Sequence, residues 1–185
     1  MKAGAKIAIG VFSLSAIVYL LSDRARIVRQ AKKWLNVRET GQNQGFNDPK
    51  FEALIKELSG FKKSEEWCVM FAKLVWLRSI PKNYREAAAK LISKSSQQTW
   101  ANFNKDKSGL FEVNKTKAYK GSIVIFQRSD PSKGHAAIVT KVKKDYFETI
   151  EGNVEENSVQ GVFRKKRKYD YTNKNLKLLG FINIK

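Results

Sequence analysis

The sequence predicts an α+β domain, with helices in the N-terminal half and an antiparallel sheet in the C-terminal half. Apolar residues recur at helical spacing as far as residue 103, whereas from residue 121 onward short runs of β-branched and aromatic residues are separated by turns. A helical half followed by a strand half is typical of the α+β class. The 185 residues, 42% of them hydrophobic, fit one domain with a sizeable core.

Four of the predicted helices are defined by apolar spacing and by residues that begin or end a helix. Pro49 favours the first turn of a helix, Gly60 favours its end, and a polar loop, TGQNQGFND, precedes it. These four helices are predicted at residues 23–37, 49–58, 83–93 and 96–103.

A further helix is predicted from an N-cap at Ser64 to about Ser79. Lys73 is its only polar residue between Trp67 and Leu77, so this helix must be buried on nearly all sides.

The strands are predicted from β-branched and aromatic runs, most of them bounded by short turns. They are GSIVIFQ (121–127), HAAIVTKV (135–142), YFETIE (146–151), VQGVFRK (159–165) and LLGFINI (178–184).

The first 22 residues form a candidate targeting segment, which leaves residues 23–185 as the domain. Residues 7–21 carry no charge and follow Lys2 and Lys6, as in a signal peptide or a signal-anchor. The absence of a clear A-x-A cleavage site favours an uncleaved anchor, and a buried amphipathic helix is the alternative. We therefore expect a membrane-anchored or secreted protein of the cell envelope.

The formal net charge of +19 predicts an anionic partner, namely nucleic acid, a membrane surface or an anionic wall polymer. The densest basic run is RKKRK (164–168), which is either a solvated strand end or a surface for anionic polymer or headgroups. Nucleic acid is not expected as the partner, because the sequence shows no recognition helix or RNP-like strand.

The chain has one cysteine and one histidine, which excludes a disulfide framework and a zinc site built from several such ligands. Cys68 lies in the first turn of the buried helix, where the helix dipole stabilises a thiolate. The alternative is a small buried hydrophobic residue. His135 opens a strand, and by itself it fits a structural histidine equally well.

A hairpin relates this histidine to two polar residues. If residues 143–145 form the turn, Val142 pairs with Tyr146, and His135 faces Asn153 with Glu151 on the same side of the sheet. Either side chain could hold the imidazole in the tautomer of a general base. The alternative is that both residues simply end the strand.

These segments together resemble a known family. EEWCVMFAKLVW, GSIVIFQ…GHAAIV and TIEGN, in this order, resemble the CHAP domains (cysteine, histidine-dependent amidohydrolases/peptidases), relatives of NlpC-type wall peptidases in the papain-like superfamily. The resemblance covers about residues 31–184. Ser122 stands where the family usually has Asp, Met70 and Lys73 lie in the helix of the nucleophile, and the glutamate of the lead-in is Glu39.

The resemblance implies a papain-like fold and a set of roles. Cys68 would be the nucleophile, His135 the general base and acid, and Glu151 the group that orients the histidine, with Asn153 supporting the histidine or the oxyanion. Trp67 would line the substrate groove. The implied substrate is an amide of bacterial peptidoglycan, no metal or other cofactor is needed, and we expect a monomer.

Two classes of function therefore remain open at the level of the sequence. One is a peptidoglycan hydrolase, either an amidase or an endopeptidase, from a phage (an endolysin) or from a host that remodels its wall. The other is a basic, non-catalytic module that binds anionic wall polymer or nucleic acid.

Overall fold

The computed structural model describes residues 22–170, 172–173 and 175–185. The predicted signal-anchor at 1–22 lies outside these residues except for Ser22. Within the described ranges, no helix has the length and apolar character that crossing a membrane requires.

Five helices form the N-terminal half of the described chain, and short-range capping sets their limits. Ser22 accepts a hydrogen bond from the N–H of Ala25, and Asp48 accepts one from Phe51, so each caps a helix. Gly60 ends the second helix with a φ of 71°, a conformation that glycine adopts without strain. The helices are α1 (Asp23–Lys33), α2 (Pro49–Ser59), α3 (Cys68–Leu77), α4 (Lys82–Leu91) and α5 (Ser96–Lys105).

Helix α3 begins three residues later than the sequence predicted. Ser64 has a φ of 67° and is not the N-cap; that position belongs to Trp67, which makes no side-chain capping bond. The later start makes Cys68 the first helical residue.

The C-terminal half folds into one antiparallel sheet, with strand order β1–β7–β2–β3–β4–β5 in the described chain and β6 paired to β7. The five predicted strands are present, and the sequence missed β1 and β6, which are only four and two residues long. The strands are β1 (Phe111–Asn114), β2 (Ile123–Arg128), β3 (Gly134–Val142), β4 (Tyr146–Glu156), β5 (Val159–Lys168), β6 (Thr172–Asn173) and β7 (Leu176–Ile184).

The helices cover one face of this sheet. Helix α3 is buried along almost its whole length and packs with Ile125, Ile138 and Ile150 of the sheet in the main core. A smaller apolar cluster that includes Phe126 and Phe147 lies on the other face. The predicted α+β arrangement of N-terminal helices packed on a C-terminal antiparallel sheet is confirmed.

The β3–β4 hairpin has a different register from the predicted one at its turn. Val142 pairs with Phe147 rather than with Tyr146, and one extra residue, Thr140, bulges between Val139 and Lys141. The bulge restores the predicted register, so Ile138 pairs with Ile150. The misplaced turn and the missed bulge each shift the pairing by one residue, in opposite directions. The predicted register is therefore correct again before the strands reach His135 and Glu151.

Candidate active site

Cys68 lies where helix α3 meets the sheet. It is the first residue of the helix and is 4% exposed. Because Trp67 provides no side-chain cap, no capping side chain takes up the N–H groups of the first turn. The thiol therefore lies at the positive end of the helix dipole, beside backbone donors.

His135 reaches Cys68 from strand β3. The thiol and the imidazole form a hydrogen bond, and the backbone N–H of Ala136 also hydrogen-bonds to the sulfur. The imidazole is buried, with 4% of the residue exposed. Two residues that are far apart in sequence thus form a direct thiol–imidazole contact.

Glu151 on β4 holds the far side of the imidazole. Its Oε2 lies 2.8 Å from His135 Nε2, which leaves Nδ1 for Cys68. Thr149 Oγ1 donates a further hydrogen bond to Glu151 Oε1. Since Glu151 is 0% exposed, its charge must be balanced by these neighbours and by a cation.

That cation is Arg167 on β5. Its Nε–H donates to Glu151 Oε1 at 3.0 Å and its Nη2–H donates to Oε2 at 2.7 Å, a two-point fork. The guanidinium also lies over the ring of Phe126, 5.5 Å from the ring centroid. The result is a continuous row of hydrogen-bonded side chains that runs from Cys68 through His135 and Glu151 to Arg167.

The contacts within this row shift the pKa values of Cys68 and His135. Burial raises the pKa of the Cys68 thiol, but the hydrogen bond and the charge of His135 outweigh it, and the pKa lies below its ordinary value. Burial lowers the pKa of His135, yet its bonds to Cys68 and Glu151 raise it to about 9. Both shifts favour the thiolate–imidazolium pair over the neutral thiol and imidazole.

Glu151 is held ionised by the same contacts. Burial raises the pKa of Glu151, but the hydrogen bonds and charges of His135 and Arg167 lower it to about 2. The carboxylate is thus available to accept the Nε2–H of the imidazolium throughout the neutral range.

Sequence reasoning missed Arg167, which it placed in the solvated basic run 164–168. The run instead alternates: Arg164, Lys166 and Lys168 are exposed, whereas the Arg167 side chain is only 13% exposed. Arg167 pairs with Phe147, which shares a sheet face with Thr149 and Glu151. All five residues of the run are basic, so the sequence carries no signal that separates Arg167 from its neighbours.

Asn153 lies beside the site but does not contact the histidine in the predicted way. The β3–β4 ladder ends at Ile138 and Ile150, and Asn153 has a φ of 57° in a register shift between Glu151 and Val154. The predicted direct opposition of Asn153 and His135 is therefore wrong. Both residues nevertheless line the same open cleft, of about 280 Å³.

Trp67 does not line a groove, and this prediction is corrected. Its side chain is 0% exposed and packs edge-on against Phe46 and Phe51. The indole N–H donates to Glu39, the glutamate of the lead-in segment. Trp67, the residue that precedes Cys68, is thus anchored to Glu39 and to Phe46 of the loop of residues 40–48.

Two glycines let backbone approach the site closely. A Cβ at Gly152 would lie 2.5 Å from Cζ3 of Trp67 and 2.7 Å from Cβ of Phe71. A Cβ at Gly134 would lie 2.4 Å from the carbonyl oxygen of Phe126. Each glycine adjoins a residue of the row, Glu151 or His135, and allows its strand to lie against its neighbours.

The described residues contain no group of three or more His, Cys, Asp or Glu side chains that could hold a metal ion.

The fold and this row of residues have the geometry that a cysteine-dependent hydrolase requires. A family model, the CHAP domain, matches residues 60–153, just over half of the chain, and this span includes Cys68, His135, Glu151 and Asn153. The chain belongs to the CHAP domain family. Arg167 lies beyond the end of the match.

Two solved structures resemble the fold at low sequence identity. "The crystal structure of Ly7917" is 12% identical with a TM-score of 0.46, and "The crystal structure of Ly7917 with the hydrolyzing product of MDP" is 11% identical with a TM-score of 0.45. Each alignment covers 87% of this chain and 62% of the other, so this chain spans less than two thirds of the Ly7917 chain. No curated protein matches the sequence.

Proposed function

We propose that this protein hydrolyses an amide bond of bacterial peptidoglycan with Cys68 as the nucleophile. The observation that carries the proposal is the buried hydrogen-bonded row of Cys68, His135 and Glu151, in which the thiol pKa is lowered and the imidazole pKa is raised. A cysteine that served only as a small core residue would need neither partner.

In the first half of the reaction, the Cys68 thiolate attacks the amide carbonyl carbon and forms a C–S bond. The carbonyl π electrons move to oxygen, and the backbone N–H of Cys68, at the helix start, is positioned to stabilise this oxyanion. The His135 imidazolium then gives its proton to the leaving nitrogen as the C–N bond breaks. An acyl thioester and a neutral imidazole result.

In the second half, the neutral His135 takes a proton from a water molecule that attacks the thioester carbonyl. The tetrahedral intermediate collapses, the C–S bond breaks, and the electrons return to sulfur. The products are a carboxylic acid, the thiolate and the imidazolium, so the enzyme regains its starting protonation state.

Glu151 and Arg167 act on the reaction through His135. Glu151 accepts the Nε2–H and fixes the ring so that Nδ1 faces Cys68. Arg167 fixes the carboxylate and keeps it ionised. Asn153 lies in the cleft on the substrate side and is proposed to contact the substrate or the oxyanion.

The setting of this activity is part of the same proposal. Residues 1–22 act as a signal-anchor or signal peptide, and residues 23–185 form the hydrolase domain, outside the cytoplasmic membrane. The net charge of +19 favours contact with an anionic envelope. The protein would serve as a phage endolysin or as a host enzyme that remodels the wall, acting as a monomer.

The proposal is tested with purified cell walls and the variants Cys68→Ser and Cys68→Ala. The parent protein is expected to lower the turbidity of the walls, and mass analysis of the released fragments identifies the bond, which distinguishes an amidase from an endopeptidase. Both variants are expected to be inactive while keeping the circular dichroism spectrum and Tm of the parent. Lysis by Cys68→Ala at the parental rate would refute the proposal.

A non-catalytic binding module is the competing function, and exposed Arg164, Lys166 and Lys168 along β5 are the observation that favours it. That function predicts steep salt-dependent binding to DNA or to anionic wall polymer. It also predicts slow reaction of Cys68 with iodoacetamide at pH 7, whereas the hydrolase predicts fast reaction.

A further inference from the structure

We propose that Arg128 is the specificity residue of the cleft and binds a carboxylate group of the peptide substrate. The inference rests on the proposed function, because it names the substrate chemistry that the same site selects. Arg128 is the last residue of β2.

Arg128 shares a sheet face with the candidate catalytic histidine. Phe126 pairs directly with His135 across β2 and β3, with ring centroids 6.2 Å apart. Because side chains alternate along a strand, Arg128 lies on the same face as Phe126, one step further towards the strand end. Arg128 and His135 accordingly line one open cleft of about 280 Å³.

The positive charge of Arg128 is not neutralised by an acidic side chain of the described residues. The other arginine of the cleft, Arg167, is engaged with Glu151, but Arg128 is exposed and forms no ion pair within the described ranges of the chain. Glu155 is the acidic residue among those described along this cleft, and no ion pair joins it to Arg128. An arginine in this position has its planar fork available for a ligand.

A second cleft adjoins the first. It has a volume of about 380 Å³, contains Glu39 and shares Glu155 with the first cleft. The first cleft is lined by His135, which binds Cys68. A substrate whose reacting amide reaches Cys68 would therefore extend past His135 towards Arg128.

A carboxylate is the group that this position suits. Arginine binds carboxylates through two parallel N–H···O bonds, and such charge-assisted pairs are stronger than neutral hydrogen bonds. The peptides of bacterial walls present carboxylates that in some walls are converted to carboxamides. A neutral carboxamide would lose the ionic part of the contact, so Arg128 would discriminate between the two.

The test is a binding measurement on the inactive Cys68→Ala full-length protein, with N-acetyl-L-alanyl-D-glutamic acid and its diamide as probes. By calorimetry we expect the acid to bind about tenfold more tightly than the diamide. Arg128→Gln is expected to remove this difference by weakening the binding of the acid alone. Arg78→Gln, which removes the same charge from an exposed position at the other end of α3, is expected to preserve it.

Three outcomes would overturn the inference: equal affinities for acid and diamide, no effect of Arg128→Gln, or an equal loss in Arg78→Gln, which would indicate a general charge effect. Tighter binding of glycerol phosphate than of the acid would overturn it too, because the site would then prefer a phosphate polymer. These results are independent of the wall-lysis assay. Lysis that depends on Cys68, combined with no role for Arg128, would leave the proposed function intact.

Discussion

Arg167 donates two hydrogen bonds to Glu151, one to each carboxylate oxygen, at 3.0 and 2.7 Å. The same carboxylate lies 2.8 Å from His135 Nε2 and is fully buried. A lone buried carboxylate would take up a proton, so the fork of Arg167 keeps Glu151 charged and oriented. The histidine therefore depends, through Glu151, on a residue of β5.

Arg167→Gln is expected to lower kcat for wall hydrolysis more than it changes KM, because it removes the charge that fixes Glu151. Leaving a buried carboxylate without its partner should also cost about 3–5 kcal/mol of unfolding free energy. Steady-state kinetics and urea unfolding measure the two effects. Arg167→Lys should restore part of the activity, since lysine keeps the charge but cannot form the fork.

The matched control for this prediction is Arg164→Gln, which removes the same charge from an exposed position on the same strand. It is expected to change stability by less than about 0.5 kcal/mol. Equal effects of the two substitutions would show that Arg167 serves only as surface charge.

Glu151→Gln is expected to reduce kcat about 10²- to 10⁴-fold with little change in KM, because the amide leaves the histidine with a weaker and differently oriented partner. The pH profile supplies the readout that a purely structural role would not move. Without the carboxylate, the pKa of His135 should fall from about 9 towards its ordinary value of 6.5, and the alkaline limb of kcat should move with it. An unchanged alkaline limb would contradict the role assigned to Glu151.

The reactivity of Cys68 is expected to depend on pH as that of an ion pair. The pKa of the thiol is lowered and that of the imidazole is raised to about 9, so thiolate and imidazolium coexist from below the ordinary thiol pKa up to about pH 9. Alkylation by iodoacetamide should already be fast at pH 7, and hydrolysis should fall above about pH 9, where the imidazolium loses the proton that the leaving amine needs.

His135→Asn provides the comparison for the alkylation experiment. Burial alone raises the thiol pKa, so in this variant the midpoint of alkylation should move to a pH above the ordinary value of 9.0. Superimposable profiles for parent and variant would rule out the ion pair.

Stability at acid pH should reflect the buried carboxylate. The pKa of Glu151 is lowered from 4.5 to about 2, so its contribution to stability is fully present above about pH 4.5 and is lost as pH falls towards 2. Urea unfolding at pH 6 and pH 3 measures this loss, which should be smaller in Glu151→Gln. An equal loss in both proteins would assign the acid sensitivity to other groups.

Gly152→Ala is expected to reduce both stability and activity. The added Cβ would lie 2.5 Å from Trp67 and 2.7 Å from Phe71, so either β4 or the start of α3 must shift, at a cost of about 1–3 kcal/mol. Gly45→Ala is the control, because its Cβ would meet only side-chain atoms of Thr40 and Glu52, at 3.1 Å. A variant at position 152 that is as stable and active as the control would argue against this contact.

Much of this site follows from local patterns in the sequence. The buried helix that carries Cys68 and the strand that His135 opens are evident from hydrophobic periodicity. Glu151 was placed near His135 by counting pairs across a hairpin. The pairing predicted near His135 was correct although the turn was misplaced, because the bulge at Thr140 shifts the register back by one residue. A bulge has no distinct pattern in a single sequence, so the agreement at His135 rested on two compensating errors.

The sequence by itself determined the order of helices and strands, the buried character of α3 and the placement of Glu151 near His135. These depend on hydrophobic spacing and on contacts across a single hairpin, which are local. The tertiary structure alone decided that Trp67 is a core residue bound to Glu39, that Asn153 lies in a register shift of β4, and that Arg167 belongs to the site. Each of these depends on which strands and loops become neighbours, and burial of a charge selects its partner only once the sheet has brought both side chains together.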